Sequence, residues 1–263
     1  RVLFRSYLAM MLVLLVLILR TVAIEFRSKR ASATWRATWD WFFFGSSLAI
    51  TLLLGVALGN VIRGVAIDAQ GNMEIDLVGL LNPYSLAVGV AAVAMLCLHG
   101  GIFLTQKVED DLLQRVTQLV PRLMAVFFVL MAGLIVWTLL LDQPIDDNYY
   151  DRKWIAVFPL LALLAALAAW RQIHHRRYLT AFLASATMIG LLLGAVAAGL
   201  YPVMPPSSTS PKYDLTVHNA ASAENTLTVM LVIAIIGMPF VLLYTAGVYY
   251  FFRGKVRLDD ESY

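Results

Sequence analysis

Seven apolar stretches, each long enough to cross a lipid bilayer, leave this chain few ways to fold. A hydrocarbon core about 30 Å thick needs about 20 residues at 1.5 Å rise each. The stretches run from Tyr7 to Ile24, Trp41 to Val61, Ser85 to Leu104, Leu123 to Leu141, Trp154 to Trp170, Tyr178 to Tyr201 and Leu227 to Phe252. Helices are the expected spanning form, because no run alternates in polarity like a barrel strand and hydrocarbon penalises every unpaired backbone group. The predicted fold class is all-α, a polytopic membrane helix bundle forming one integral domain over residues 1–263. Composition removes the alternatives. With 60% hydrophobic and 14% charged residues the chain is far from a soluble domain, which is roughly a quarter charged, and far from a disordered one. Cys97 is the only cysteine, so a disulfide scaffold is excluded. The net charge of +3 does not point to nucleic acid, because the cations lie between apolar runs rather than clustering on a polar face.

Those cations set the orientation, since cytoplasmic loops retain Lys and Arg. Five lie between Arg20 and Arg36, three in the loop of Lys107, Arg115 and Arg122, three in Arg171, Arg176 and Arg177, and three in Arg253, Lys255 and Arg257. That makes fourteen, against four (Arg63, Arg152, Lys153 and Lys212) in the alternate connections. The basic loops and the C-terminus are therefore expected to face the cytoplasm. Trp35, Trp39 and Trp41, Trp154 and Trp170, and Tyr249 to Phe252 mark the interfaces, where amphipathic rings belong. The connection from Pro202 to Thr226 is expected to be irregular, given its Pro205-Pro206 pair and its serines. The chain opens at Arg1 with no signal-peptide pattern and reads as a fragment lacking its natural N-terminus.

Ionisable groups at membrane depth are the default functional candidates, because each is costly unless paired or hydrated. Arg20 sits four residues before the end of the first stretch, where it can snorkel to lipid phosphate or pair with a carboxylate of a partner helix. Glu25 lies between Arg20 and Arg27 and can neutralise one cation. Asp40, at the start of the second stretch, is placed to cap a helix N-terminus or to take up protons. His99 is the only histidine within a stretch. It is followed by Gly100 and Gly101, which permit close helix approach, so it reads as a hydrogen-bonded interfacial residue, a proton relay or a haem ligand. His174, His175 and His218 lie in loops, so a bis-histidine haem within this chain is disfavoured, while Met95 is left as an axial ligand. No catalytic residue, phosphate loop or metal-ligand spacing is present in the sequence.

Five segments, in order, resemble subunit II of the cytochrome bd-type quinol oxidases, including the cyanide-insensitive branch. They are Arg20 to Lys29 with Trp35-Arg-Ala-Thr-Trp39-Asp40-Trp41, then Leu80-Leu-Asn82-Pro83-Tyr84, Tyr201-Pro-Val-Met-Pro-Pro-Ser207-Ser208-Thr209, Asp214-Leu-Thr-Val-His-Asn219-Ala220-Ala-Ser222, and Leu243-Tyr244-Thr-Ala-Gly-Val-Tyr249-Tyr250. Arg1 to Ser6 do not resemble the family, and the doubled Pro205-Pro206 departs from a more usual single proline. Members have nine spans, so the resemblance implies that seven of nine are present and the first two are missing. It further implies an accessory subunit of a terminal oxidase in the bacterial cytoplasmic (inner) membrane. The partner, subunit I, carries haems b558, b595 and d and oxidises quinol while dioxygen is reduced to water, generating a membrane potential. A structural quinone and a small third subunit accompany some members. The carboxylate associated with proton delivery belongs to the missing second span, and Tyr263 matches a C-terminal tyrosine near the cytoplasmic proton path. Arg20, Glu25, Arg27, Asp40, His99 and Tyr263 are thus the proton-path or interface candidates. Two other readings compete: a secondary transporter, for which Gly55, Gly59, Pro159, Gly190 and Gly194 would interrupt the spans, and a purely structural membrane scaffold.

Overall fold

Hydrocarbon offers no partner to a backbone amide, and this chain meets that condition with helices throughout its apolar stretches. The computed structural model describes residues 2–68, 77–141, 148–149 and 151–255. In chain order the helices are α1 (Val2–Arg27), α2 (Ala33–Arg63), the single turn α3 (Leu77–Leu80), α4 (Pro83–Lys107), α5 (Asp110–Leu141), α6 (Val157–His174), α7 (Tyr178–Leu200) and α8 (Glu224–Phe251). A 3-10 turn, Lys153–Ala156, leads into α6. Six of these helices, α2 and α4 to α8, are long and apolar enough to cross a membrane. The first expected span, Tyr7 to Ile24, lies inside α1.

Two helices begin well before their apolar stretches. The second stretch was expected from Trp41, yet α2 starts at Ala33; the fourth was expected from Leu123, yet α5 starts at Asp110. Hydropathy marks where lipid begins, whereas a helix continues as long as its hydrogen-bond ladder does. Asp110 and Asp111 suit the positive end of the α5 dipole, and Asp111 pairs with Arg115 one turn on at 2.7 Å.

Helix α4 is the hub, packing against α2, α5 and α7; α1 packs on α2 and α6 on α7. Apolar burial gains little between helices already in lipid, so close backbone approach must hold them together. Gly55 and Gly59 form a small-xxx-small stripe on α2 that meets Gly89 and Ser85 of α4. A Cβ at Gly55 would lie 2.7 Å from the Gly89 Cα, and one at Gly59 2.7 Å from the Ser85 Cα. A larger core joins α4 to α7 through Leu98, Ile102, Val120, Met124, Ala169 and Met188. Helix α8 has no buried residue. It is held near its C-terminal end, where Lys107 Nζ donates to the carbonyls of Phe252 and Gly254 and Lys255 approaches Glu109 at 4.0 Å.

Polar stitching gathers at the opposite end. Asn60 Nδ2 donates to the Leu80 carbonyl at 2.7 Å, Asn82 Nδ2 donates to Asn60 Oδ1 at 2.9 Å, and Asn82 Oδ1 caps α4 by accepting from Ser85 N. The connection after α7 is irregular as expected, apart from a 3-10 turn at Pro211–Tyr213, and its own side chains order it. Ser207 N donates to Asp214 Oδ1 at 2.6 Å, Asn219 Nδ2 donates to the Asp214 carbonyl at 2.8 Å, and Thr216 N donates to Asn219 Oδ1 at 2.7 Å. Backbone bonds from Val65 N to Pro206 O and from Ser208 N to Val65 O pin this loop to the end of α2.

Gly59→Leu should separate α2 from α4 and lower the thermal midpoint in detergent, a cost of at least about 1–3 kcal/mol by overpacking. Gly100→Ala serves as the control, since a Cβ there meets nothing within 4 Å and the midpoint should hold.

Candidate functional site

The charged hairpin between α1 and α2 contains most of the candidate residues. Its turn closes when Trp35 Nε1 donates to the Phe26 carbonyl at 2.8 Å, which also accepts from Lys29 N at 3.2 Å. The chain then returns so that Asp40 faces Arg27: Arg27 Nε donates to Asp40 Oδ1 at 2.6 Å and Nη2 to Oδ2 at 3.4 Å. Asp40 is therefore no helix cap. Because α2 begins at Ala33, the carboxylate lies two turns into the helix and links the two arms of the hairpin. Glu25 pairs with Lys29 at 2.8 Å, beyond the apolar stretch. The hydrogen bond between them, followed by their charges, holds the Glu25 carboxyl below its ordinary range and raises Lys29 above its own.

Arg20 takes neither a carboxylate nor another ion-pair partner among the described residues. It is exposed, with its guanidinium 5.4 Å from the centre of the Phe43 ring. An aromatic block packs beside it: Trp39 lies 5.2 Å from Phe26, 5.6 Å from Trp35 and 5.5 Å from Phe42 between ring centres, and Arg30 covers Trp35 at 4.7 Å. Within this block Arg36 Nε and Trp39 Nε1 are buried without a hydrogen-bond partner among the described residues.

His99 stands apart from the hairpin and meets α7. Its Nδ1 lies 2.8 Å from Ser185 Oγ, and its ring stacks on Phe182 with centres 4.8 Å apart. Ser185 Oγ is 2.8 Å from the Phe182 carbonyl, which can only accept. A hydroxyl has one proton; given to that carbonyl, it leaves Oγ to accept from Nδ1–H, so the neutral ring keeps its Nε2 lone pair. Gly101 lets α5 approach, with Val120 Cγ2 3.1 Å from its would-be Cβ, whereas Gly100 faces open space. Met95 and His99 cannot together hold a six-coordinate haem. Met95 lies one turn from His99 on the same helix face, while two axial ligands must approach iron from opposite sides. Among the described residues no group of three or more His, Cys, Asp or Glu could hold a metal ion. Tyr263 lies outside the described residues.

Ser185 and Phe182 were not anticipated from the sequence. A lone serine in an apolar run was the available signal, but nothing in the sequence pairs it with a histidine 86 positions away. The glycines that favoured transport have packing roles or none: Gly55 and Gly59 seat α4, a Cβ at Gly194 would lie 3.2 Å from the Phe158 ring, and Gly190 faces open space. Pro159 falls in the first turn of α6, where proline needs no amide partner.

Closely seated apolar helices, long enough to cross a bilayer and stitched by polar groups at both ends, make an integral membrane bundle. Over residues 2–252 the sequence matches the family described as cytochrome bd terminal oxidase subunit II, and the chain belongs to that family, an accessory component of terminal respiratory oxidases. It is 32% identical over 252 residues to the cytochrome bd ubiquinol oxidase subunit 2 of Bacillus subtilis, covering 95% of this chain and 73% of the relative. It is 29% identical to the cytochrome bd-I ubiquinol oxidase subunit 2 of Escherichia coli K12, covering 97% and 75%. It is 31% identical to a probable cytochrome oxidase subunit 2 of Haemophilus influenzae, covering 92% and 72%. A chain of the bd oxidase structure from Geobacillus thermodenitrificans shares the fold, with a TM-score of 0.71, 18% identity, and coverage of 93% of this chain and 73% of that one.

Ser185→Ala should strand His99 Nδ1–H and lower the thermal midpoint, at a cost of about 1–3 kcal/mol for an unsatisfied buried donor. The Arg27–Asp40 pair should show weaker coupling in a double-mutant cycle, because its side chains are 42% and 53% exposed and solvent screens them.

Proposed function

We propose that this chain is the haem-free partner of a haem-bearing subunit I in a quinol:oxygen oxidoreductase, and that it has no catalytic residue of its own. Subunit I would hold the haems, oxidise quinol and reduce dioxygen to water; this chain would supply an apolar wall and correctly oriented charge. The family match over residues 2–252 carries the reading. The His99 geometry supports it, since Nδ1 is engaged by Ser185 and Met95 shares its helix face. A hydrogen-bonded neutral histidine between helices is a packing and polarity device that needs no metal.

The basic end is assigned to the cytoplasm, and with it the C-terminus. Fourteen Lys and Arg on one set of connections against four on the other support this, as does the gathering of Lys107, Glu109 and Lys255 at one end. The hairpin of Arg20, Glu25, Arg27 and Asp40 then lies at the inner surface, next to buried Arg36 Nε and Trp39 Nε1 that have no partner among the described residues. Its role is to position the subunit interface, with the Arg27–Asp40 link fixing the angle between the two arms and Arg20 snorkelling to lipid.

Reduced-minus-oxidised spectra of the co-expressed complex and of each separated subunit test the central claim. All haem should follow the larger subunit, and a stoichiometric haem on this chain alone would overturn it. Asp40→Asn should lower the yield of assembled complex while turnover per haem stays unchanged, and Glu25→Gln should alter neither. Reporter fusions should report a cytoplasmic C-terminus and an external Pro202–Thr226 connection.

A further inference from the structure

Where the first turns of α5 meet the α6–α7 turn, the surface opens into a cleft of about 390 Å³, within the range of small-molecule sites. Asp110 comes from α5 and Arg176 from the turn, with Leu113, Pro121, Ile173 and Tyr178 as apolar and aromatic lining. Among the described residues no ion pair involves Asp110 or Arg176, so their charged groups lie more than 4.0 Å apart across the cleft. Both also hold left-handed backbone conformations, φ 53° and 56°, and among the described residues no other non-glycine position does. At Arg176 the cause is the closing turn of α6, where Arg176 N donates to Ile173 O and Arg177 N to Gln172 O, both at 2.9 Å. Glycine ordinarily fills that position without strain. An arginine there points to a use for its side chain.

The depth of the cleft follows from the helix contacts. Gly101 of α4 packs on Val120 and Leu123 of α5, so Val120 is level with the end of the α4 apolar stretch. The turns beyond it, from Thr117 back to Asp110, fall at headgroup depth. Trp170, edge-on to His174 at 5.4 Å, marks the same interface.

We infer that this cleft binds the headgroup of a phosphoethanolamine lipid, with the phosphate ester on the Arg176 guanidinium, the primary ammonium on the Asp110 carboxylate, and the glycerol and first acyl carbons on Leu113, Pro121 and Ile173. Two opposite charges separated by a gap fit a zwitterion that spans it. A purely anionic lipid leaves Asp110 unanswered, and a quaternary choline ammonium has no N–H to donate to it. Free phosphoethanolamine shares the head chemistry but cannot use the apolar lining. The inference needs the membrane fold and holds whichever face of the membrane the basic end occupies.

The test titrates the purified, delipidated oxidase complex containing this chain with phosphatidylethanolamine, phosphatidylglycerol and free phosphoethanolamine, reading adducts by native mass spectrometry. Phosphatidylethanolamine should bind at least roughly tenfold more tightly than phosphatidylglycerol, and free phosphoethanolamine should not displace it. Arg176→Gly should weaken lipid binding by at least roughly tenfold without lowering the lipid-free thermal midpoint, since glycine accepts the backbone conformation. Asp110→Asn should abolish the preference for phosphatidylethanolamine over phosphatidylglycerol. Unchanged binding in Arg176→Gly, or an unchanged preference in Asp110→Asn, overturns the site. Displacement by free phosphoethanolamine at equal concentration overturns the lipid as occupant and gives the cleft to a soluble phosphate ester.

Discussion

Everything in this chain follows from the lack of water around its backbone. A peptide group in hydrocarbon must be paired within its own segment, which makes each apolar run a helix before any tertiary contact forms. The helices then need a reason to associate, and burial is a weak one, because lipid tails solvate leucine as well as another helix does. Contact at van der Waals distance remains. The α2–α4 seam shows it: where Gly55 and Gly59 oppose Gly89 and Ser85, the backbones lie so close that neither glycine has room for a Cβ. Amide and charged side chains collect at the ends, where Asn60, Asn82 and Asp214 stitch one face and Lys107 reaches Phe252 on the other.

The same constraint explains what was legible in the sequence. Apolar run length located the helices because spanning imposes a minimum length, and the small residues at Gly55 and Gly59 were visible as such. Their role was not, since close seating against α4 and interruption of a transport helix leave similar traces in one dimension. Helix starts at Ala33 and Asp110 escaped notice because hydropathy measures depth in lipid, while the hydrogen-bond ladder runs on into water. Asp40 was placed at a helix start for the same reason and turns out to grip Arg27 across the hairpin. Two of the family-like segments, around Ser207 and around Asp214 to Asn219, were recognisable separately. Only the fold shows that they form one hydrogen-bonded loop.

The polar inventory of the interior bears on how such a subunit can participate in electron transfer. A redox centre needs ligands converging on one point, and convergence of polar donors is what the close-packed apolar interior resists. His99 is tolerated there because Ser185 answers one nitrogen and Phe182 covers the ring face. That arrangement ties the imidazole to a single neighbouring helix. It gives the bundle a fixed point of polarity between α4 and α7, in a region otherwise held together by Leu98, Ile102 and Met188.

Helix α8 carries the argument to the edge of the molecule. In water a 28-residue apolar helix with no buried residue would be untenable, but in lipid its exposed faces carry little penalty. Its placement therefore falls to its ends. The loop knitted by Asp214 and Asn219 precedes it, and Lys107 holds the carbonyls that follow it, while Lys255 leans toward Glu109. A subunit built this way can present the long apolar faces of α8 to lipid or to another membrane chain without first stabilising them internally, because α8 is held by polar contacts at its ends.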